Sequence, residues 1–334
     1  MNFEFDNMVR RKKEYGGFLP LELNFGKDHF SEYESVLSRF NSVKAGLEFI
    51  IKNSKASKLF LPCYYCPSTT EAILRTGIEV VFYHIDKEMH PIDIPDEVGS
   101  LIILVDYFGI LGKKIENIAL GFSNAEVILD RAHAFFTSPV LKDNVYNIYS
   151  AKKFFGVPDG AYLISTKIRS DEAPSYSASY ASYLLKTYEE GTNSAYAEKK
   201  EVDRYLDSNY KSMSKLSIGI LENVDYNAVS GRRKENFAFL KDFFDDINEL
   251  SISEAYPAYI FPLLLKEKGN DIKKKLVEEK IYVPTLWSGQ FVSENGNEFE
   301  LYMRDNAVFL PIDQRYDIED MKYVAYVTRK MMEE

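Results

Sequence analysis

Two adjacent lysines, Lys152 and Lys153, stand just beyond the run VYNIYS that ends at Ser150, and Gly160 then leads into a second apolar run, AYLIS. An amine in that place has two readings. It is an ordinary solvated turn lysine, as most lysines at loop ends are, or it is a Schiff-base lysine, whose neighbours must lower its pKa and hold a carbonyl cofactor beside it. Other chemically capable residues sit in matching places. Asp106 ends LIILVD, Asp130 ends AEVILD with His133 three residues on, and Pro62 ends KLFLP ahead of Tyr64 and Tyr65. Ser42 precedes a helix-period stretch whose first amides could hold an anion.

Cys63 and Cys66 form a C-x-x-C in LPCYYCPS. A thioredoxin-like role would need that fold around it, and zinc would need two more ligands, which four scattered histidines do not obviously supply. The expectation is a reduced, packed pair and no metal.

The elements that would position these residues follow from periodicity. Between residues 40 and 165, short apolar runs alternate with helix-period stretches. SVKAGLEFIIKN puts Val43, Leu47, Ile50 and Ile51 on one helical face, with Asn41 or Ser42 suited to the N-cap. KLFLP, a helix over Ser68 to Arg75, IEVVFYHID, SLIILVDYFG, a helix around Lys113 to Leu120, and AEVILD come next. This alternation predicts an α/β fold with a mostly parallel central sheet flanked by helices. Ligands of such sheets gather beyond the carboxyl ends of the strands, where the lysines and aspartates lie. From about residue 228 a smaller α+β unit is expected, with an amphipathic helix at SGRRKENFAFLKDFFDDI, a strand in AYIFPLLLK, a helix around Lys273 to Glu279 and a closing strand and helix.

Composition narrows the function. The 334 residues are 46% hydrophobic and 28% charged, which describes a soluble globular protein of more than one core. The net charge of −10 and the lack of a basic run argue against a nucleic-acid partner. The start of the sequence has no signal-like apolar core and no run reaches a membrane span's length, so a cytoplasmic location is expected.

In order and spacing, the segments FNSVKAGLEFII, LPCYYCPSTTEAILRTGIEVVFYHID, VDYFG, VILDRAHAF, YSAKKFFGVPDGAYL, RRKENFAFL, IYVPTLW and FLPIDQRYDIEDM resemble fold-type I pyridoxal-phosphate enzymes. More narrowly they resemble the DegT/DnrJ/EryC1/StrS family of sugar aminotransferases. The resemblance implies a large cofactor-binding domain over residues 1–227, with an N-terminal arm at 1–25 and connecting helices at 170–227, and a small domain over 228–334. It implies pyridoxal 5'-phosphate as cofactor, carried on Lys153, with Asp130 paired to the ring nitrogen and His133 near the ring oxygen. Ser42, Lys44, Ala45 and Ser150 would serve the phosphate, although Val43 stands where glycine is common. Tyr65 or Tyr64 would stack on the ring, while another alignment places Cys66 there.

The family's members are homodimers that share their sites, and Asn209 in NYKSMS, altered from the family's NYRMS-like segment, would reach the partner's phosphate. Arg304 and Arg315 are candidates for a substrate carboxylate or phosphate, or are surface salt-bridge residues. The activity implied is transamination from glutamate to a nucleotide-linked keto-sugar. A pyridoxal-phosphate dehydratase or lyase is an alternative, disfavoured because the usual dehydratase has histidine in place of the lysine. A non-catalytic binding protein that keeps the fold is the other.

Overall fold

The strand–helix alternation builds a seven-stranded sheet in the computed structural model, which describes residues 16–24, 26–207 and 209–333. Most of the N-terminal arm expected at residues 1–25 lies outside the described residues. The strands are β1 (Leu37–Phe40), β2 (Lys58–Pro62), β3 (Glu79–Tyr83), β4 (Ser100–Val105), β5 (Glu126–Arg131), β6 (Val145–Ser150) and β7 (Ala161–Ile164), in the order β1-β7-β6-β5-β4-β2-β3. β2 to β6 pair in parallel, and β7 runs antiparallel to both β6 and β1. Strands β1 to β6 therefore end on one edge, where β7 begins. Asp130, Ser150 and Pro62 all meet there.

Burial explains the sequence texture. Every residue of SLIILV in β4 and of VYNIYS in β6 is buried, as strands covered on both faces must be. Helix α1 (Val43–Asn53) supplies part of that cover with Ala45, Leu47, Ile50 and Ile51. Each large side chain buried this way contributes about 1.5–3 kcal/mol. Gly46 is the contact point of α1 with β6, since a Cβ there would lie 2.7 Å from Ile148 Cδ1. Helix α2 (Pro67–Leu74) starts with proline at its first position, where no amide partner is lost. Helix α3 (Lys113–Gly121) follows β4.

Beyond β7 come α4 (Ser182–Glu190), α5 (Thr192–Leu206) and α6 (Lys215–Leu221), the helices expected between residues 170 and 227. Helix α7 (Tyr226–Phe244) leads to β8 (Phe261–Leu264), α8 (Gly269–Glu278), α9 (Gln290–Asn295), α10 (Glu298–Asn306), β9 (Ala307–Leu310) and α11 (Ile318–Glu333). β8 and β9 pair antiparallel. The boundary expected at residue 228 falls inside the first turn of α7. Side chains of this second sheet and of the large sheet belong to one continuous buried cluster. Among the described residues, no helix is long and apolar enough to cross a membrane.

Candidate active site

The turn after β6 separates the two lysines. Phe154 and Phe155 amides both donate to Ala151 O, and Gly160 N donates to Asn41 O with φ +141°, a backbone angle that favours glycine. Lys152 points to α5 and pairs with Asp203 at 2.8 Å. Lys153 turns inward, and its Nζ lies 2.5 Å from His133 Nε2. Burial lowers the Lys153 pKa, and the nearby Cys66 and Asp130 only partly oppose that shift. Burial, with the Lys153 charge, holds His133 well below its usual range, so the imidazole is neutral. When Nε2 accepts from Lys153, the ring proton sits on Nδ1. Nδ1 is buried and has no hydrogen-bond partner among the described residues.

One strand over, Asp130 is buried at the end of β5. Its Oδ1 accepts from Ala132 N at 2.9 Å, and its Oδ2 accepts from the Tyr65 hydroxyl. Burial raises its pKa, against those two hydrogen bonds and the Lys153 charge. Neighbouring Asp106 shapes the next loop: its Oδ1 accepts from Leu111 N at 3.0 Å, and burial pushes its pKa up to about 6 despite Arg131. In that loop Phe108 has φ +59° and Gly109 φ +76°. A Cβ on Gly109 would lie 2.2 Å from His133 O, so glycine lets the loop touch the histidine's backbone.

Two rings pack on the imidazole of His133: Trp287 stacks at 5.2 Å and 8°, and Tyr259 lies at 5.0 Å and 38°. Tyr259 N also donates to His133 O, and its ring centroid is 5.3 Å from Lys153 Nζ. Trp287, itself at φ +53°, stacks on Phe108 at 5.5 Å and meets Tyr64 and Tyr107 edge-on. Sequence reasoning did not single out Trp287 or Tyr259. A signal existed for the first: it is the sole tryptophan of the chain and lies in IYVPTLW.

The other expected residues divide into those at this edge and those elsewhere. Ser42 caps α1, and its Oγ accepts from Ala45 N at 3.1 Å. That bond occupies the Ala45 amide and leaves the amides of Val43 and Lys44 without an intrahelical acceptor. The Lys44 side chain is paired with Asp207. Ser150 is buried at the end of β6. Tyr65, expected to stack on a ring, has its hydroxyl committed to Asp130. Asn209 bonds within its own chain: its O accepts from Asn41 Nδ2 at 2.6 Å and its Nδ2 donates to Tyr205 O.

Arg315 pairs with Asp313 at 2.7 Å and is close enough to Tyr259 to oppose the rise in that phenol's pKa, one residue removed from Lys153. Arg304 pairs with the adjacent Asp305, beside Lys273 and Asn270, and makes no hydrogen bond or ion pair to the Lys153 cluster among the described residues. The two cysteines are free and face different surroundings. Burial raises the Cys66 pKa, but hydrogen bonds from Ser68 and Thr69 and the Lys153 charge outweigh it and the net shift is downward. Cys63 is pushed up to about 12 by burial and by Glu300.

No protein-family model matches the sequence, and no curated protein matches it. Solved structures do share its fold. The putative sugar aminotransferase Spr1654 of Streptococcus pneumoniae, in its PMP form, superposes with a TM-score of 0.61 at 15% identity, covering 91% of this chain and 90% of its own. The sugar aminotransferase CalS13 of Micromonospora echinospora gives 0.60 at 14%, covering 91% and 93%. The E. coli GDP-4-keto-6-deoxy-D-mannose-3-dehydratase, with bound hydrated PLP, gives 0.62 at 14%, covering 90% and 89%. The structural neighbours thus include sugar aminotransferases of the DegT/DnrJ/EryC1/StrS type, and the chain has the fold-type I architecture.

Proposed function

We propose that this chain is a pyridoxal-phosphate-dependent transaminase that moves an amino group from glutamate to a nucleotide-linked keto-sugar, working in the cytoplasm as a homodimer. The observation that carries the reading is the buried Lys153 amine. It sits at the carboxyl edge of the sheet, bonded to a neutral His133, with Asp130 on the neighbouring strand.

The residues present suit the cofactor. A buried imidazole Nδ1 without a partner among the described residues is costly unless a ligand meets it, and the same ring bonds the buried Lys153 amine. Lys153 would carry the cofactor covalently, His133 Nδ1–H would meet the ring oxygen, and Asp130 would hold the proton of the ring nitrogen. The amides of Val43 and Lys44, with the Ser150 hydroxyl, would receive the phosphate at the start of α1. Asn209 would complete the site of a second copy. Bound there, the cofactor offers an electron sink for the pair left when a donor's α-proton departs.

The protein's own work is proton handling and orientation. Burial lowers the Lys153 pKa and so eases loss of its proton, and the same atom would serve first as nucleophile and then as carrier of the donor's α-proton. His133 would keep that amine aimed by accepting from it, and packing against Trp287 and Tyr259 would hold the imidazole. Tyr65 and Ala132 N orient the Asp130 carboxylate. Arg315, beside Tyr259, is the candidate for a substrate anion.

The test is a half-reaction. Protein loaded with pyridoxal phosphate is mixed with glutamate and no acceptor, and 2-oxoglutarate is counted. One 2-oxoglutarate per site, with the cofactor recovered as its amine form, is the expected result. A nucleotide-linked keto-sugar added in a second step should take up that nitrogen; loss of a sugar hydroxyl without nitrogen incorporation would replace the transaminase with a dehydratase, and bound cofactor that turns over neither substrate would leave a binding protein.

A further inference from the structure

Cys63, His84 and Glu300 come from three separate segments and meet. Cys63 directly follows β2, His84 directly follows β3, and Glu300 lies in α10. Their Sγ, imidazole nitrogen and carboxylate oxygen all lie within 4.8 Å of one another. From these we infer a binding site for a zinc-class divalent transition metal, held by the Cys63 thiolate, His84 Nδ1 and a Glu300 oxygen, with one position left for water. Nothing in the inference depends on the cofactor reading.

Four observations support it. The donor set of one sulfur, one imidazole and one carboxylate is that of a zinc site, and the distances are near those required. Ligand atoms on a tetrahedral zinc lie about 3.5 Å apart, from bond lengths of about 2.0–2.3 Å. His84 Nδ1 already stands 2.9 Å from Glu300 Oε2, so the third donor closes by roughly 1 Å. The carboxylate is held in place by other groups, as metal-ligating carboxylates are. Its Oε1 accepts from Ile85 N at 3.1 Å and its Oε2 from Asn297 N at 2.8 Å, and Asn297 Nδ2 binds Ile85 O.

The electrostatics also ask for a cation. Glu300 is fully buried, and neither it nor Cys63 is paired with a lysine or arginine among the described residues. A divalent ion with one thiolate and one carboxylate forms a neutral group, so the hydrogen-bonded carboxylate would gain a cationic partner inside the fold. Finally, there is an entry path, because the His84 side chain is 43% exposed while its two partners are inside.

Binding is balanced by protons alone. The thiol loses its proton to solvent as the S–metal bond forms, and His84 coordinates as the neutral tautomer with its proton on Nε2. The metal would tie the ends of β2 and β3 to α10, beside the Tyr64–Tyr65 loop that supports Asp130.

The experiment uses the full chain, stripped with a chelator, dialysed and titrated with Co2+ as the probe, followed by Zn2+ displacement. One Co2+ per chain is expected, with a thiolate-to-cobalt charge-transfer band and the visible bands of a four-coordinate ion, and release of about one proton. Cys63→Ser should abolish the charge-transfer band, and His84→Ala should weaken binding by about 100-fold. Cys66→Ser should leave both unchanged. Glu300 also completes the capping box of α10, so Glu300→Gln would test the fold and the metal together, and the two other variants, checked by circular dichroism, carry the test. A folded protein without the band overturns the inference. So does a band that survives Cys63→Ser, or binding indifferent to His84→Ala.

Discussion

Replacing Gly109 by alanine perturbs the site through its backbone, without touching any proposed functional side chain. The residue has φ +76°, which costs an L-residue about 1–2 kcal/mol. The new Cβ would lie 2.2 Å from His133 O and 3.0 Å from His133 C. Carbon–oxygen contacts settle near about 3.3 Å, so the loop and the histidine must separate by about 1 Å. Both sides are packed backbone, and overpacking of that kind costs about 1–3 kcal/mol, for a total loss of about 2–5 kcal/mol.

His133 holds Lys153 and is held by Trp287, so a 1 Å displacement should lower turnover by roughly 100-fold. Trp287 is the only tryptophan, and its emission reads the stack directly. Gly109→Ala should shift the emission of the folded protein, lower its denaturation midpoint and slow the glutamate half-reaction. Gly121→Ala, at the end of α3 with an ordinary φ and nothing within 4 Å of the added carbon, should raise stability by about 0.4–1 kcal/mol and leave the emission alone. Wild-type emission, midpoint and rate in Gly109→Ala would refute the reasoning.

Further outcomes follow from buried charges, each read by denaturant unfolding of the cofactor-free protein. The folded pKa of Lys153 lies below its unfolded value, so its ionisation penalty is complete below the folded pKa and vanishes as pH rises past about 10.5; Lys153→Met should gain stability relative to wild type at pH 6 and lose that gain by pH 11. The folded pKa of Asp106, about 6, lies above the usual carboxylate value, so wild type loses about 2 kcal/mol from this group as pH rises from 4 to 6. Asp106→Asn should show a shallower decline over that window. Arg131 is fully buried on Glu116 at 2.9 Å and Tyr149 OH at 3.1 Å, so Arg131→Met should cost about 3–5 kcal/mol.

Features that depend on short stretches of chain could be read from the sequence. Lys153, seven residues before Gly160, and Asp130, closing a buried strand, belong to local strand-to-turn patterns. The helix expected over Ser68 to Arg75 is found at Pro67–Leu74, and the one expected around Lys113 to Leu120 at Lys113–Gly121. Ser42, one of two cap candidates, is the cap. What periodicity could not supply were contacts between distant residues. Tyr65 reaches Asp130 across 65 positions, and His84 reaches Glu300 across 216. The C-x-x-C suggested one packed pair because its cysteines are neighbours in sequence. Its two residues instead serve different surroundings, Cys66 near Lys153 and Cys63 near Glu300. β7, antiparallel between two strands that run the other way, was also invisible, because strand direction leaves no mark on a four-residue apolar run.

The measurement closest to the central claim is covalent trapping at the lysine. The protein is incubated with pyridoxal phosphate, its absorbance recorded, and the adduct reduced with borohydride and mapped by peptide mass, beside Lys153→Ala. The account predicts a long-wavelength band in the wild type, absent from the variant, and a phosphopyridoxyl group on Lys153 alone. A label on Lys152 or elsewhere, or no band in folded protein, would contradict it.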